Sequence, residues 1–178
     1  MNLVIQFLTY SRIIIGPIIF FLIVYFNMYG FGLILFCFAS LTDFFDGFLA
    51  RRYNFTSELG EILDPIADKV LLVFLLISIS FLAQSIFVAF MSCLIITREF
   101  WVSALRDFNS RNMNVSATKV TFIAKLKTTI QFIAIFLFLT SFYFGNFFVQ
   151  FIANFVLFLS LILSIQSALK YSIDTFKQ

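Results

Sequence analysis

The sequence contains no histidine, which excludes imidazole acid–base catalysis and any histidine-ligated metal. It holds two cysteines, and Cys37 and Cys93 both lie inside apolar runs, so neither a disulfide framework nor a thiolate zinc site is expected. Charge is equally scarce. Charged residues make up 12% of the chain and hydrophobic ones 62%, against about a quarter and about half in soluble domains. Such a composition excludes a soluble globular domain, a disordered segment and a nucleic-acid-binding module. The net charge of +3 and pI of 9.0 therefore call for a positional reading, as in a membrane chain.

Three stretches have no Asp, Glu, Lys or Arg: 13–42, 70–97 and 128–169. A helix needs roughly 20 residues to cross the hydrocarbon, so each stretch is too long for one comfortable span. Each also has a candidate break, at Asn27 to Gly32, Ala83 to Ser85, and Gly145 to Asn146. The pattern predicts an all-α polytopic membrane protein with three helical hairpins, hence six transmembrane helices. The two shorter stretches cannot hold two full spans, so their inner helix ends must carry charged residues.

The three tips carry no charge, and all 12 Lys and Arg fall at the opposite ends. Basic residues accumulate on the cytoplasmic side, so both termini and every charged segment are expected there, in a cell (inner) membrane. The first dozen residues lack a basic region ahead of the apolar run and a small-residue cleavage site, and fit a short interfacial helix leading into the first span. No linker is visible, so residues 1–178 read as a single domain. The 29 Phe read as lipid-facing and interhelical packing.

Six of the nine acidic residues lie between positions 43 and 68: Asp43, Asp46, Glu58, Glu61, Asp64 and Asp68. Asp43 and Asp46 share a helix face at the inner end of the second span, and Asp64 and Asp68 share one at the start of the third. Pro65 is tolerated in a first helical turn. Two antiparallel helices joined by a short turn would bring both pairs together. Four carboxylates that close raise one another's pKa unless cations neutralise them. All-oxygen ligands select Mg²⁺ or Mn²⁺, with Ca²⁺ open. Mg²⁺ usually shares its ligands with substrate phosphates. Gly47 permits close backbone approach, and Arg51, one turn on, can fork onto a phosphate. The plainer alternative, solvated helix ends with local salt bridges, suits a single boundary acid better than four at paired helical spacings.

These residues resemble the CDP-alcohol phosphatidyltransferases, whose signature is D-x2-D-G-x2-A-R-x8-G-x3-D-x3-D. Asp43, Asp46, Gly47, Ala50, Arg51, Gly60, Asp64 and Asp68 stand at its eight fixed positions. The six-span layout and length agree as well. The resemblance implies that the four aspartates hold two metal ions, Mg²⁺ or Mn²⁺, and that Asp68 also serves as general base. It places the donor, CDP-diacylglycerol, against Gly47, Arg51 and Ser57. The implied reaction is attack by an alcohol oxygen on the phosphorus attached to diacylglycerol, expelling CMP. Small enzymes of this type often pair through apolar faces, so a homodimer is an open expectation, with membrane lipids around it.

Residues 98–127 bear on the acceptor. Arg98, Arg106, Lys125 and Lys127 supply cations beyond those needed for CDP, as an acceptor bearing its own phosphate would require. Arg98-Glu99, Arg106 and the Lys125-x-Lys127-Thr128-x-x-Gln131 run are similar to the bacterial phosphatidylglycerophosphate synthases, whose acceptor is glycerol 3-phosphate. Lys119, Lys170 and Lys177 read as topology and headgroup contacts. Near the amino terminus, Ile5 and Gln6 replace the family's usual Pro-Asn pair while Leu8, Thr9 and Arg12 remain, and Ala124 stands where glycine is common. Rival readings are another acceptor (phosphatidylglycerol, serine or an inositol phosphate), an intramembrane prenyltransferase, or a transporter. A prenyltransferase needs two widely separated Asp motifs. A transporter needs acids at several depths, and none lies in the outer halves.

Overall fold

The computed structural model describes the backbone of residues 2–53, 58–111 and 122–176, and the side chains of residues 10–42, 63–111 and 126–176. Helix α1 (Asn2–Phe20) runs into a π-helical turn (Phe21–Tyr25). It is followed by α2 (Tyr29–Tyr53), α3 (Glu58–Ala83), α4 (Ile86–Arg111), α5 (Phe122–Phe144) and α6 (Phe147–Phe176). The described residues contain no strand, in line with the all-α expectation. Helices α3 to α6 each contain a segment long and apolar enough to cross a membrane, and the shorter apolar stretches Tyr10–Tyr25 and Tyr29–Thr42 lie in the first hairpin. The chain is a membrane protein. Its amino-terminal backbone is one continuous helix from Asn2 to Phe20, so no separate interfacial helix is set off by a break.

Each hairpin turns where the charge-free stretches allow it, and each turn uses one residue in the left-handed region. These are Asn27 (φ 55°), Gln84 (φ 47°) and Gly145 (φ 63°). Asn146 then caps α6, its Oδ1 accepting the backbone N–H groups of Phe148 at 2.9 Å and Val149 at 3.3 Å. The first turn is shorter than the expected Asn27-to-Gly32 break, because α2 begins at Tyr29. Gly32 is therefore helical, and close approach explains it: a Cβ there would lie 2.2 Å from Ile23 Cγ2. In the π-helical turn the Phe26 N–H donates to the Phe21 carbonyl at 3.1 Å, a wider ring than the regular ladder uses.

The helices close into a ring in the order α1, α3, α4, α6, α5, α2, and α3 also touches α5 across the middle. Inside it, residues at helical spacing form one buried cluster, among them Ile15, Ile19 and Ile23 from α1, Leu71, Leu75 and Ile79 from α3, Val88, Met91 and Ile95 from α4, and Ala134, Ile135 and Phe138 from α5. Phe31, Phe81, Phe90 and Phe155 face outward, where lipid surrounds them. Hydroxyls within the apolar helices donate to their own helix, as Ser78 does to the Phe74 carbonyl at 2.7 Å and Ser80 to the Leu76 carbonyl at 2.7 Å. Lipid offers polar groups no other partner.

Candidate active site

The charged ends of the ring gather around a cavity of about 340 Å³. Helix α3 brings Asp64 and Asp68, four residues apart on one face, together with Lys69 and Leu72. Helix α4 brings Glu99 and Arg106, and α5 brings Lys127, Thr128, Gln131 and Phe132. The α3–α5 contact across the ring puts carboxylates and cations in one chamber.

Beneath the acidic pair lies Arg12 of α1. Its side chain is 1% exposed, whereas those of Asp64 and Asp68 are 42% and 49% exposed. The guanidinium donates to Asp68 Oδ1 at 2.5 Å and to Asp64 Oδ1 at 3.5 Å. A buried guanidinium held against two half-exposed carboxylates fixes their orientation toward the cavity. The sequence marked Arg12 only as a retained member of the amino-terminal pattern.

The cationic side is braced from α6. Arg106 Nη2 donates to the Tyr171 hydroxyl at 3.0 Å, and its guanidinium carbon lies 5.0 Å from the centroid of that ring. Lys127 is buried and paired with Glu99. Arg98 is bonded on three sides: Nε to the Ser164 carbonyl at 2.9 Å, Nη2 to the Ser167 hydroxyl, and Nη1 to Glu99 at 2.9 Å. It stands behind Glu99 and is not among the residues lining the cavity. Trp101 to Ser172 at 3.0 Å and Asn109 to Thr175 at 2.8 Å extend this polar seam between α4 and α6.

Of the expected site residues, Asp64, Asp68, Arg106 and Lys127 meet in the cavity. Asp43, Asp46, Gly47, Arg51, Ser57 and Lys125 lie outside the residues whose side chains are described. Among the described residues no cluster of three or more Asp, Glu, Cys or His is poised around one ion. Lys69, whose ammonium donates to Ser103, and Glu99 were not assigned from sequence. Lys69 directly follows the last aspartate of the motif, and that adjacency was the available signal. Thr128 and Phe132 also line a second, mostly apolar groove between α2 and α5, bounded by Phe36, Cys37, Ser40 and Leu41.

Residues 3–166 match the family model described as CDP-alcohol phosphatidyltransferase. The chain belongs to this family. Among its relatives are proteins named CDP-diacylglycerol–glycerol-3-phosphate 3-phosphatidyltransferase. That of Wigglesworthia glossinidia brevipalpis is 39% identical over 168 residues, covering 92% of this chain and 90% of the relative. That of Escherichia coli strain K12 is 35% identical over 167 residues, with the same two coverages. A Salmonella typhi relative of the same name is 34% identical over 168 residues. The CDP-alcohol phosphatidyltransferases are generally dependent on divalent metals. The donor set here suits hard cations, since the chain has no histidine and Asp64 and Asp68 present oxygens to the cavity.

Proposed function

We propose that this chain transfers the phosphatidyl group of CDP-diacylglycerol to glycerol 3-phosphate, releasing CMP and phosphatidylglycerophosphate. The observation that carries this reading is the single cavity in which Asp64 and Asp68 share space with Lys69, Arg106 and Lys127. The carboxylates serve the reacting phosphorus, and the cations serve a second phosphate on the acceptor. An acceptor without phosphate would leave those cations unused.

The primary hydroxyl oxygen of glycerol 3-phosphate attacks the phosphorus bonded to diacylglycerol. The bond from that phosphorus to the CMP oxygen breaks, and the hydroxyl proton passes to Asp68, which is held in place by Arg12. Arg106 and Lys127 orient the acceptor through its phosphate, while Arg98 acts through Glu99. Lys125, Gly47, Arg51 and Ser57 complete the acceptor and donor contacts. Two divalent cations, Mg²⁺ or Mn²⁺, held by Asp43, Asp46, Asp64 and Asp68, would neutralise charge on the diphosphate and on departing CMP. The groove between α2 and α5 admits a donor acyl chain from the lipid side. The assembly is a single six-span domain with its amino-terminal helix lying partly at the interface. Charged ends and both termini face the cytoplasm across the inner membrane, and apolar outer faces are available for a homodimer.

Purified protein given Mg²⁺ or Mn²⁺, CDP-diacylglycerol and glycerol 3-phosphate is expected to release CMP. Chelator should abolish release, and Asp68→Asn should lower it at least about 100-fold. Silence with every acceptor in a panel of glycerol 3-phosphate, phosphatidylglycerol, serine and inositol phosphate would refute the enzymatic reading. Turnover with one of the others alone would refute the acceptor.

A further inference from the structure

Among the described residues, Gln131 is the one neutral side chain in the cavity whose hydrogen bonding is incomplete and whose burial is nearly total: it is 2% exposed, and its Nε2 has no partner. It stands four residues beyond Lys127 on α5, on the same face and one turn farther from the charged end of the helix. Leu72 and Phe132 are its apolar neighbours in the cavity wall. A buried amide donor left unpaired is costly, and such groups in native proteins mark a ligand or a water. Lys69, Arg106 and Lys127 already supply the positive charge that a phosphate needs. A carboxamide adds what ammonium and guanidinium lack, a donor and an acceptor on one planar group, which matches a hydroxyl. Gln131 is also absent from the apolar groove that its neighbours Thr128 and Phe132 share, so it faces the polar chamber and not the lipid side.

We infer that Gln131 is a specificity-determining residue that reads the secondary hydroxyl of the acceptor, donating from Nε2 to that oxygen while the cations hold the phosphate. This rests on the glycerol 3-phosphate reading above and deepens it. An acceptor lacking the hydroxyl would leave the buried amide without that partner, and binding strengthened in this way is felt as selectivity.

The test compares glycerol 3-phosphate with 1,3-propanediol monophosphate, which keeps the primary hydroxyl and the phosphate but lacks the secondary hydroxyl. The wild-type protein is expected to prefer glycerol 3-phosphate by about 10- to 100-fold in kcat/KM. Gln131→Met, close in shape but without the amide, should bring that ratio to within about threefold of one. The KM for CDP-diacylglycerol should not change. Equal use of both acceptors by the wild-type protein would overturn the inference without any variant, and so guards against a variant that does not fold. A parallel fall for both acceptors in Gln131→Met, or a raised donor KM with acceptor preference intact, would overturn it as well. Absence of any turnover of glycerol 3-phosphate by the wild-type protein would instead refute the functional reading beneath it.

Discussion

Arg12 and Arg106 show how single cations are given different tasks by their surroundings. Arg12 is enclosed and bonded to the two α3 aspartates, so its role is to aim carboxylates. Arg106 lines the cavity, as its proposed contact with the acceptor phosphate requires. Arg106→Ala is expected to raise the KM for glycerol 3-phosphate about 10- to 100-fold while moving the donor KM by less than about threefold, as loss of a charge-assisted contact to one substrate predicts. Steady-state kinetics with each substrate varied in turn would show it, and equal losses for both would count against the assignment. Tyr171→Phe removes the hydroxyl that holds Arg106 but keeps the ring beneath it. Its effect on the same KM should be smaller, about two- to fivefold. The plain reading of boundary charges as solvated pairs does hold at one place, where Asp107 and Arg111 pair at 2.9 Å on an exposed turn of α4.

At the scale of elements, the hairpins depend on close backbone approach as much as on apolar surface. Between helices already immersed in lipid, packing and small residues drive association more than burial does. Gly16 faces the α3 backbone, where a Cβ would sit 3.3 Å from Leu71 Cα. Gly32 is tighter, because Ile23 is fully buried and has nowhere to move. Gly32→Ala should therefore destabilise the first hairpin by about 1–3 kcal/mol through overpacking. A lowered melting temperature in detergent would report this, and an unchanged one would show that α1 and α2 can separate freely. The seam between α4 and α6 was not anticipated. Ser164, Ser167, Tyr171 and Thr175 lie on one face of α6 at helical spacing, yet in sequence they are ordinary polar residues in an apolar run. Nothing in the chain announces that their partners are Arg98, Arg106 and Asn109, some 65 residues away.

For the whole molecule, the closed ring places every described charged side chain at one end and the three uncharged turns at the other. The proposed orientation, with basic residues inside, puts Phe147 at a hairpin tip outside the cell and Arg111 in the cytoplasm. In a background lacking Cys37 and Cys93, Phe147→Cys should react with a membrane-impermeant maleimide in intact cells. Arg111→Cys should react only after permeabilisation. The opposite pattern would invert the topology. The two positions are 85% and 78% exposed, so access to the reagent, not burial, decides the outcome.

The hairpins were legible in the chain because charge scarcity and helix length are local, additive properties: 28 to 42 residues without a charge cannot do anything else in lipid. The same holds for the family, since the Asp43-to-Asp68 motif lies within one short window. The first turn was drawn too long, from Asn27 to Gly32, because nothing local in the sequence shows that Gly32 serves close packing inside a helix. The cation side of the cavity needed tertiary structure. Whether Arg98 or Arg106 meets the cavity depends on which helix stands behind each of them, and whether Gln131 is a surface amide or a buried unpaired donor in the cavity wall depends on α3 crossing to α5. Spacing along a helix specifies which residues share a face, but only the closure of the ring decides what that face meets.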